Sequence, residues 1–347
     1  MLKIYTLEQA EQWDAVVRSF EQHDVYQLSG YVEGFRIHGD GMPILLYYED
    51  EYTRGINVVM QRDIAQHPAF ADKLQEKTYY DLVTPYGYGG WILEGRASAD
   101  MLINEVSSWC MDNGVVSEFV RFHPMVQNQI APLLNHYEVI RMGPTIAMDL
   151  SSKETIWANL TSKNRNMIRK AQKSELIVCR AQCPEIYEVF RELYEQTMDR
   201  DHAERYYYFS KDFYASILSK LSNQGQIFYT RTADGKVAAA AIMLTENGRM
   251  NYHLSASSRE MQNLAPTNLL LYEAAVWGAE NGMQTLHLGG GVGSREDSLC
   301  SFKKAFYRGE PMRYHIGKKI WNSGIYEQLV QMRQDVPENG FFPAYRR

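Results

Sequence analysis

The chain has 347 residues, 45% hydrophobic and 12% aromatic, which is ample for two medium domains and excludes a disordered chain. Its 42 acidic residues against 36 basic ones leave a net charge of −6, which argues against holding nucleic acid by bulk charge. Cys110, Cys179, Cys183 and Cys300 are scattered, without the paired spacing of a zinc site, so reduced thiols and no metal are expected. No segment is long and uncharged enough to cross a bilayer, and Met1 to Glu8 lacks the apolar core of a leader. The expected location is cytoplasmic.

In chain order, Pro43 to Glu49 and Gly55 to Arg62 read as a β-hairpin, and Tyr79 to Val83 as a further strand. Thr84-Pro85-Tyr86-Gly87-Tyr88-Gly89-Gly90-Trp91 alternates glycines with rings, which suits either a binding wall or a well-packed turn. An amphipathic helix closes at Trp109-Cys110-Met111-Asp112-Asn113-Gly114, where Asn-Gly is a stop signal, and the run Val115 to Phe122 is β-rich. Thr145 to Leu150 reads as a strand and Ser151 to Glu154 as a capped helix start.

Thr161 to Ser174 then forms a helix bearing Lys163, Arg165, Arg169, Lys170 and Lys173, with no acid to neutralise them. Such a face suits phosphate or carboxylate, or is simply a solvated basic surface. A helix from near Pro184 ends in a segment dense in Arg and Tyr, Arg200 to Phe209. Ser210 to Gly225 leads straight into strands at Gln226 to Thr232, Val237 to Thr245 and Met250 to Ala256. The dipeptides Asp234-Gly235 and Asn247-Gly248 separate these strands as hairpin turns. Pro266 opens a helix running through Leu269 to Glu280, whose first N–H groups could receive a phosphate. Ile320 to Val336 is helical by pattern.

Trp277-Gly278-Ala279-Glu280-Asn281-Gly282 echoes the earlier Trp-to-Gly segment 168 residues on, and each copy follows a meander and precedes a strand. Two copies of one α/β module are expected, the first built from 1–144 plus 318–347 and the second from 145–317. Each would be a mixed, largely antiparallel sheet flanked by helices.

The most informative stretch is Leu286-His287-Leu288-Gly289-Gly290-Gly291-Val292-Gly293, followed by a helix presenting Phe302, Lys303 and Phe306. Glycines allow close backbone approach, and a lysine between rings beside them suits a place where negative charge must be held. The P-loop and the dinucleotide fingerprint are both excluded, because no Gly-Lys-Ser/Thr ending follows Gly289, and Gly291-Val292-Gly293 is followed by Ser294-Arg295-Glu296 with no third glycine. Neither a Gly-x-Ser-x-Gly elbow nor a His-Glu-x-x-His motif occurs. The nine histidines are dispersed, His253 being a weak candidate.

Taken together, Thr84 to Gly90, Asn164-Arg165-x-x-Ile168-Arg169-Lys170-Ala171, Tyr207-Tyr208-Phe209-Ser210, Ala265-Pro266-Thr267, Leu288 to Gly291 and Phe302-Lys303-x-x-Phe306 form a pattern. It resembles the Fem family of aminoacyltransferases and its FemAB-like relatives in the GNAT acyltransferase superfamily. The resemblance implies two intertwined GNAT-like modules with a channel between them, and transfer of an amino acid or acyl group to an amine of a cell-wall (peptidoglycan) precursor or related acceptor. The co-substrate would be aminoacyl-tRNA or an acyl-CoA, with no tightly bound cofactor. It further implies that Lys303, with Phe302 beside it, stands at the reacting carbonyl. Arg200, Arg205, Tyr208 and Tyr252 would line the acceptor pocket, Arg36 would hold a precursor's phosphates, and Pro266, Thr267, Gly289 and Gly290 would meet the donor. Two departures accompany it: the family's helical arm thought to embrace tRNA has no room at Ser210 to Gly225, and the GNAT pyrophosphate signature is degraded from Arg259 to Thr267. The rival readings are a CoA-dependent N-acetyltransferase acting on a sugar or small amine, and a non-catalytic RNA-binding module.

Overall fold

A computed structural model describes residues 1–95, 99–129, 131–333 and 340–347. The first part of the chain forms β1 (Leu2–Tyr5), α1 (Ala10–Arg18), α2 (Ser29–His38), β2 (Met42–Glu49), β3 (Thr53–Asp63), β4 (Tyr80–Val83), β5 (Ile92–Gly95), α3 (Asp100–Asp112), β6 (Val115–Arg121), α4 (Ala131–Leu134) and β7 (Glu138–Asp149). There follow α5 (Lys153–Asn159), α6 (Ser162–Lys173), β8 (Ile177–Ala181), α7 (Pro184–Arg200), α8 (Lys211–Lys220), β9 (Gly225–Arg231), β10 (Val237–Glu246), β11 (Arg249–Ser257), α9 (Pro266–Glu280), β12 (Thr285–Gly289), α10 (Ser298–Lys304), β13 (Met312–Ile320) and α11 (Ser323–Gln331). Two compact units result, Met1–Met142 with Tyr314–Arg347, and Gly143–Arg313.

In the first unit the strand order is β1-β2-β3-β4-β6-β13, with β5 also on β3. Neighbours are antiparallel except β4 and β6, which run parallel because α3 carries the chain across between them. Trp91, Leu102, Val106, Val115 and Phe122 fill the core on the α3 side. In the second unit the order is β7-β12-β11-β10-β9-β8. Here again a single pair, β11 and β12, is parallel, and α9 makes the crossover. The turn at Asn247-Gly248 has positive φ at both central residues (50° and 71°), the geometry whose twist matches its flanking strands.

Each module is therefore an antiparallel meander, a crossover helix and a parallel return strand, as the echo implied. The two helix ends agree at the level of single atoms. Asn113 Nδ2 donates to Trp109 O at 2.8 Å, and Asn281 Nδ2 donates to Trp277 O at 2.8 Å. Gly114 and Gly282 follow with φ of 66° and 77°, the left-handed stop.

Two expectations are corrected. Ser210 does not lead straight into strands: its hydroxyl accepts from Phe213 N and caps the ten-residue α8, whose Phe213 and Ile217 are buried. The C-terminal helix is shorter than its pattern, starting after the cap Asn322 and ending at Gln331, and residues 334–336 of the expected span lie outside the described ones.

Candidate active site

The second unit gathers the strongest chemistry where β12 ends. The chain turns through Gly289 to Gly291 and enters α10, whose N-cap Asp297 accepts from Cys300 N at 2.8 Å and from Val292 N at 2.9 Å. One carboxylate thus fixes both the helix start and the glycine turn. What the glycines approach is the chain itself. A Cβ on Gly290 would stand 2.6 Å from Pro144 O, and one on Gly291 would stand 2.1 Å from Arg295 O. The close approach read from the sequence is a packing demand that sets the turn against β7.

Lys303 lies one helical turn into α10 and points back to this turn, its Nζ donating to Gly290 O at 2.7 Å. The residue is only 8% exposed. Burial lowers its pKa to about 8, opposed weakly by Cys300 and Asp297. Among the described residues no carboxylate lies within ion-pair distance of it. Phe302 is half-buried, packs on the core of the unit and meets Phe306 edge-on at 5.4 Å. His287, two residues before the glycines, is buried and hydrogen-bonded to Thr145 Oγ1 on β7.

Asn164, buried on α6, ties three elements together. Its side chain donates to Ala305 O at 3.2 Å, just past α10, and accepts from Asn268 Nδ2 at 2.8 Å in the first turn of α9. The basic helix α6 is thereby held beside the start of α9. Pro266 stands at N1 of α9, preceded by Ala265 in the left-handed conformation, and no side chain caps this helix. Thr267 lies in its open first turn, whose free N–H groups suit an anion. Lys163, Arg165, Arg169, Lys170 and Lys173 carry no ion pair among the described residues, although Arg169 lies over the Trp157 ring at 5.2 Å.

At the end of α7, Arg200 donates to Ser257 O at 3.0 Å and to Asp201 Oδ1 at 3.2 Å. It lines a hollow of about 310 Å³ with Gln196, His202, Ser257 and Arg259. Tyr208 donates to Asp199 Oδ1 at 2.7 Å, a bond that raises its pKa, and Arg205 is exposed in the turn between them. Tyr252, on β11, packs against the core, and burial pushes its phenol up to about 12. His253 is driven down to about 3 by burial and stays neutral.

Arg36 belongs to the first unit, on α2, and its guanidinium makes two bonds to Glu33, at 2.8 and 2.9 Å. The aromatic loop of that unit resolves as a packed turn: Tyr86 stacks on Phe35 at 5.4 Å, and Tyr31 donates to Tyr86 O at 2.6 Å.

The predicted residues thus fall into groups: Lys303, Phe302, Gly289 and Gly290 at one turn, Pro266 and Thr267 at a helix start linked to it through Asn164, Arg200 in its hollow, and Arg36 elsewhere. Arg259, His287 and Asp297 were not singled out from the sequence. Asp297 was within reach, since an aspartate before Ser298 is a helix-start signal. His287 was hidden between two leucines, and only the fold shows that all three are buried.

Residues 159–304 match the family described as acetyltransferase (GNAT) domain, so the second unit carries that domain. The whole chain shares its fold with FemX, at 14% identity and a TM-score of 0.68, over 94% of this chain and 99% of that one. L-PGS from Bacillus licheniformis is similar at 14% identity and TM-score 0.58 (93% and 96% covered). So is a C-terminal domain ascribed to a lysylphosphatidylglycerol synthetase from Agrobacterium fabrum, at 15% identity and TM-score 0.56 (90% and 91% covered). No curated protein matches the chain in sequence. Among the described residues, no helix is long and apolar enough to cross a membrane.

Proposed function

We propose that this acyltransferase moves an amino acid, or a comparable acyl group, from a phosphate-bearing activated donor to an amine of a cell-wall precursor or related acceptor. One observation carries the reading: Lys303 is buried beside the glycine turn, its ammonium donating to a carbonyl, with no carboxylate within ion-pair distance among the described residues. Burying a charge without its counter-charge costs stability, and a charge that develops during reaction would supply the missing partner.

In this mechanism the acceptor nitrogen forms a bond to the donor's carbonyl carbon, and the carbonyl oxygen takes the negative charge. The Lys303 ammonium steadies that charge. The ester or thioester bond then breaks, the amide remains, and the proton lost by the amine leaves with the departing group or to solvent. No covalent enzyme intermediate is required. Phe302 holds the lysine's helix against the core, the open start of α9 and the basic face of α6 would take the donor's phosphates, and Gly289 and Gly290 shape the turn beneath. Arg200, with Arg205, Tyr208 and Tyr252 on neighbouring elements, would meet the acceptor's anionic groups.

The aminoacyl form of this reading draws support from the fold shared with FemX and from the product stated in the name of the lysylphosphatidylglycerol synthetase. The match of residues 159–304 to an acetyltransferase domain favours a second reading, with acyl-CoA as donor to a sugar or small amine. Mass spectrometry of a nucleotide-linked stem-peptide precursor, incubated with the protein and either charged total tRNA or a panel of acyl-CoAs, separates them. A gain of one amino-acid residue that requires the tRNA is expected. Acylation from CoA alone would replace the first reading with the second, and RNA retention without any transfer would overturn both.

A further inference from the structure

The first unit contains a cavity of about 420 Å³ that the acyl-transfer reading leaves unused. It is built on one face of four adjacent strands. Val83 on β4 pairs with Phe119 on β6, which pairs in turn with Lys318 on β13, and Arg121 pairs with Ile316 one step along. Arg62 on β3 pairs with the buried Asp81 on β4. The C-terminal tail closes the face: Tyr345 OH is 2.8 Å from Ser117 Oγ, and Arg346 Nε donates to Asp81.

The charges in this cavity do not balance. Asp81 receives Arg62 Nε at 2.6 Å on one oxygen and Arg346 on the other, so two guanidiniums share a single carboxylate. Arg121 lies over the Phe119 ring at 5.1 Å, and among the described residues it meets no carboxylate. Lys318 pairs with the exposed Glu138 at 3.6 Å and lies over the Phe342 ring at 5.9 Å. The neighbouring His67 registers the excess, since Arg346 and Arg333 add to burial in holding its pKa down. Like charges gathered in a partly enclosed space repel unless an anion joins them. The Asp81 bridges use the Nε edges of Arg62 and Arg346; Arg346 Nη2 donates further to Asp63 O at 3.4 Å, and the remaining terminal guanidinium nitrogens are donors in a fixed geometry.

We propose that this cavity is a second ligand site, one that binds a phosphate monoester carried on a small aromatic or similarly apolar body. About two uncompensated positive charges match a dianionic phosphate better than a single carboxylate. Phe119 and Phe342 supply ring walls, the latter stacked on Tyr326 at 5.9 Å, and the volume leaves room for more than the phosphate.

Calorimetric titration of the full chain at low salt tests this with phenyl phosphate, inorganic phosphate and benzoate as probes. Phenyl phosphate should bind most tightly. Arg121→Gln spares the Asp81 bridges, and it should weaken binding by about tenfold to a hundredfold, the loss expected for a hydrogen bond to a charged group. Lys318→Gln reports the same loss independently, should Arg121→Gln fail to fold. Lys303→Met should leave this binding unchanged, which separates the site from the acyl-transfer centre. Equal affinity for phenyl phosphate and inorganic phosphate, binding indifferent to both cavity variants, or binding abolished by Lys303→Met would each overturn the proposal.

Discussion

An ammonium held in a protein interior without an ion-pair partner is a standing cost, and at Lys303 its size can be stated. A pKa lowered from 10.5 to about 8 corresponds to roughly 3 kcal/mol of disfavour for the charged form in the folded state. The sign follows from linkage: below pH 8 both states carry the proton and the folded one bears the full penalty. Between about 8 and 10.5 the unfolded chain binds more protons, so stability rises with pH, and above that range nothing more is gained. Lys303→Met should therefore raise stability at pH 7 by up to about 3 kcal/mol. The same variant should lower turnover tenfold to a thousandfold, the range for losing one oxyanion donor. Wild-type turnover should decline above pH 8 as the ammonium is lost. Chemical unfolding of both proteins from pH 7 to 10.5, beside steady-state rates, checks all three. A variant both less stable and fully active would show the lysine to be ordinary packing. The lysine was legible in the sequence from its company of rings and glycines. That no carboxylate lies within ion-pair distance among the described residues was not, because burial and partners exist only in the fold.

Among the elements, the glycine turn makes the most demanding statement. Replacing Gly291 with alanine would drive a Cβ against Arg295 O and Asp297 Oδ1, the acid that caps α10. Overpacking of this kind costs about 1–3 kcal/mol or more. Because the turn also presents Gly290 O to Lys303, activity should fall with it. Gly324→Ala, in the exposed first turn of α11 with its nearest neighbour at an ordinary 3.8 Å, is the control, and it should be neutral or slightly stabilising. Urea midpoints at pH 7 decide the matter, and equal midpoints for the two variants would remove the steric account. Hairpin turns such as Asn247-Gly248 were readable in advance because dihedral demand is written in residue type. What Gly290 and Gly291 lie against was not readable, for the opposite reason: Pro144 O comes from distant chain, and Arg295 O meets Gly291 only through the fold of the turn itself. Helix α8 escaped notice because Phe213, Tyr214 and Ile217 read as readily as strand as helix.

For the molecule as a whole, charge distribution carries more meaning than the sum. The chain is acidic overall at −6, yet α6 carries five cations and is tied through Asn164 to the first turn of α9. The echo between Trp109 and Trp277 disclosed the doubled architecture from sequence alone, whereas the bond from Asn268 to Asn164 that holds this basic helix in place did not show there. If the helix receives the donor's phosphates, reversing two of its exposed charges in Lys163→Glu/Lys170→Glu should raise KM for the donor and leave kcat nearly intact. The acceptor's KM should not move. The salt dependence then reports the donor class. A polyanionic RNA releases counterions wherever a cation meets a phosphate, so the slope of log affinity against log salt should shrink by about 0.7 to 0.9 for every phosphate the variant no longer neutralises. A CoA-sized donor, with few phosphates, has a shallow slope from the start. Donor titrations at several salt concentrations, wild type beside the double variant, supply both numbers. An unchanged KM for every donor would make α6 a solvated surface and move phosphate binding to the start of α9 alone.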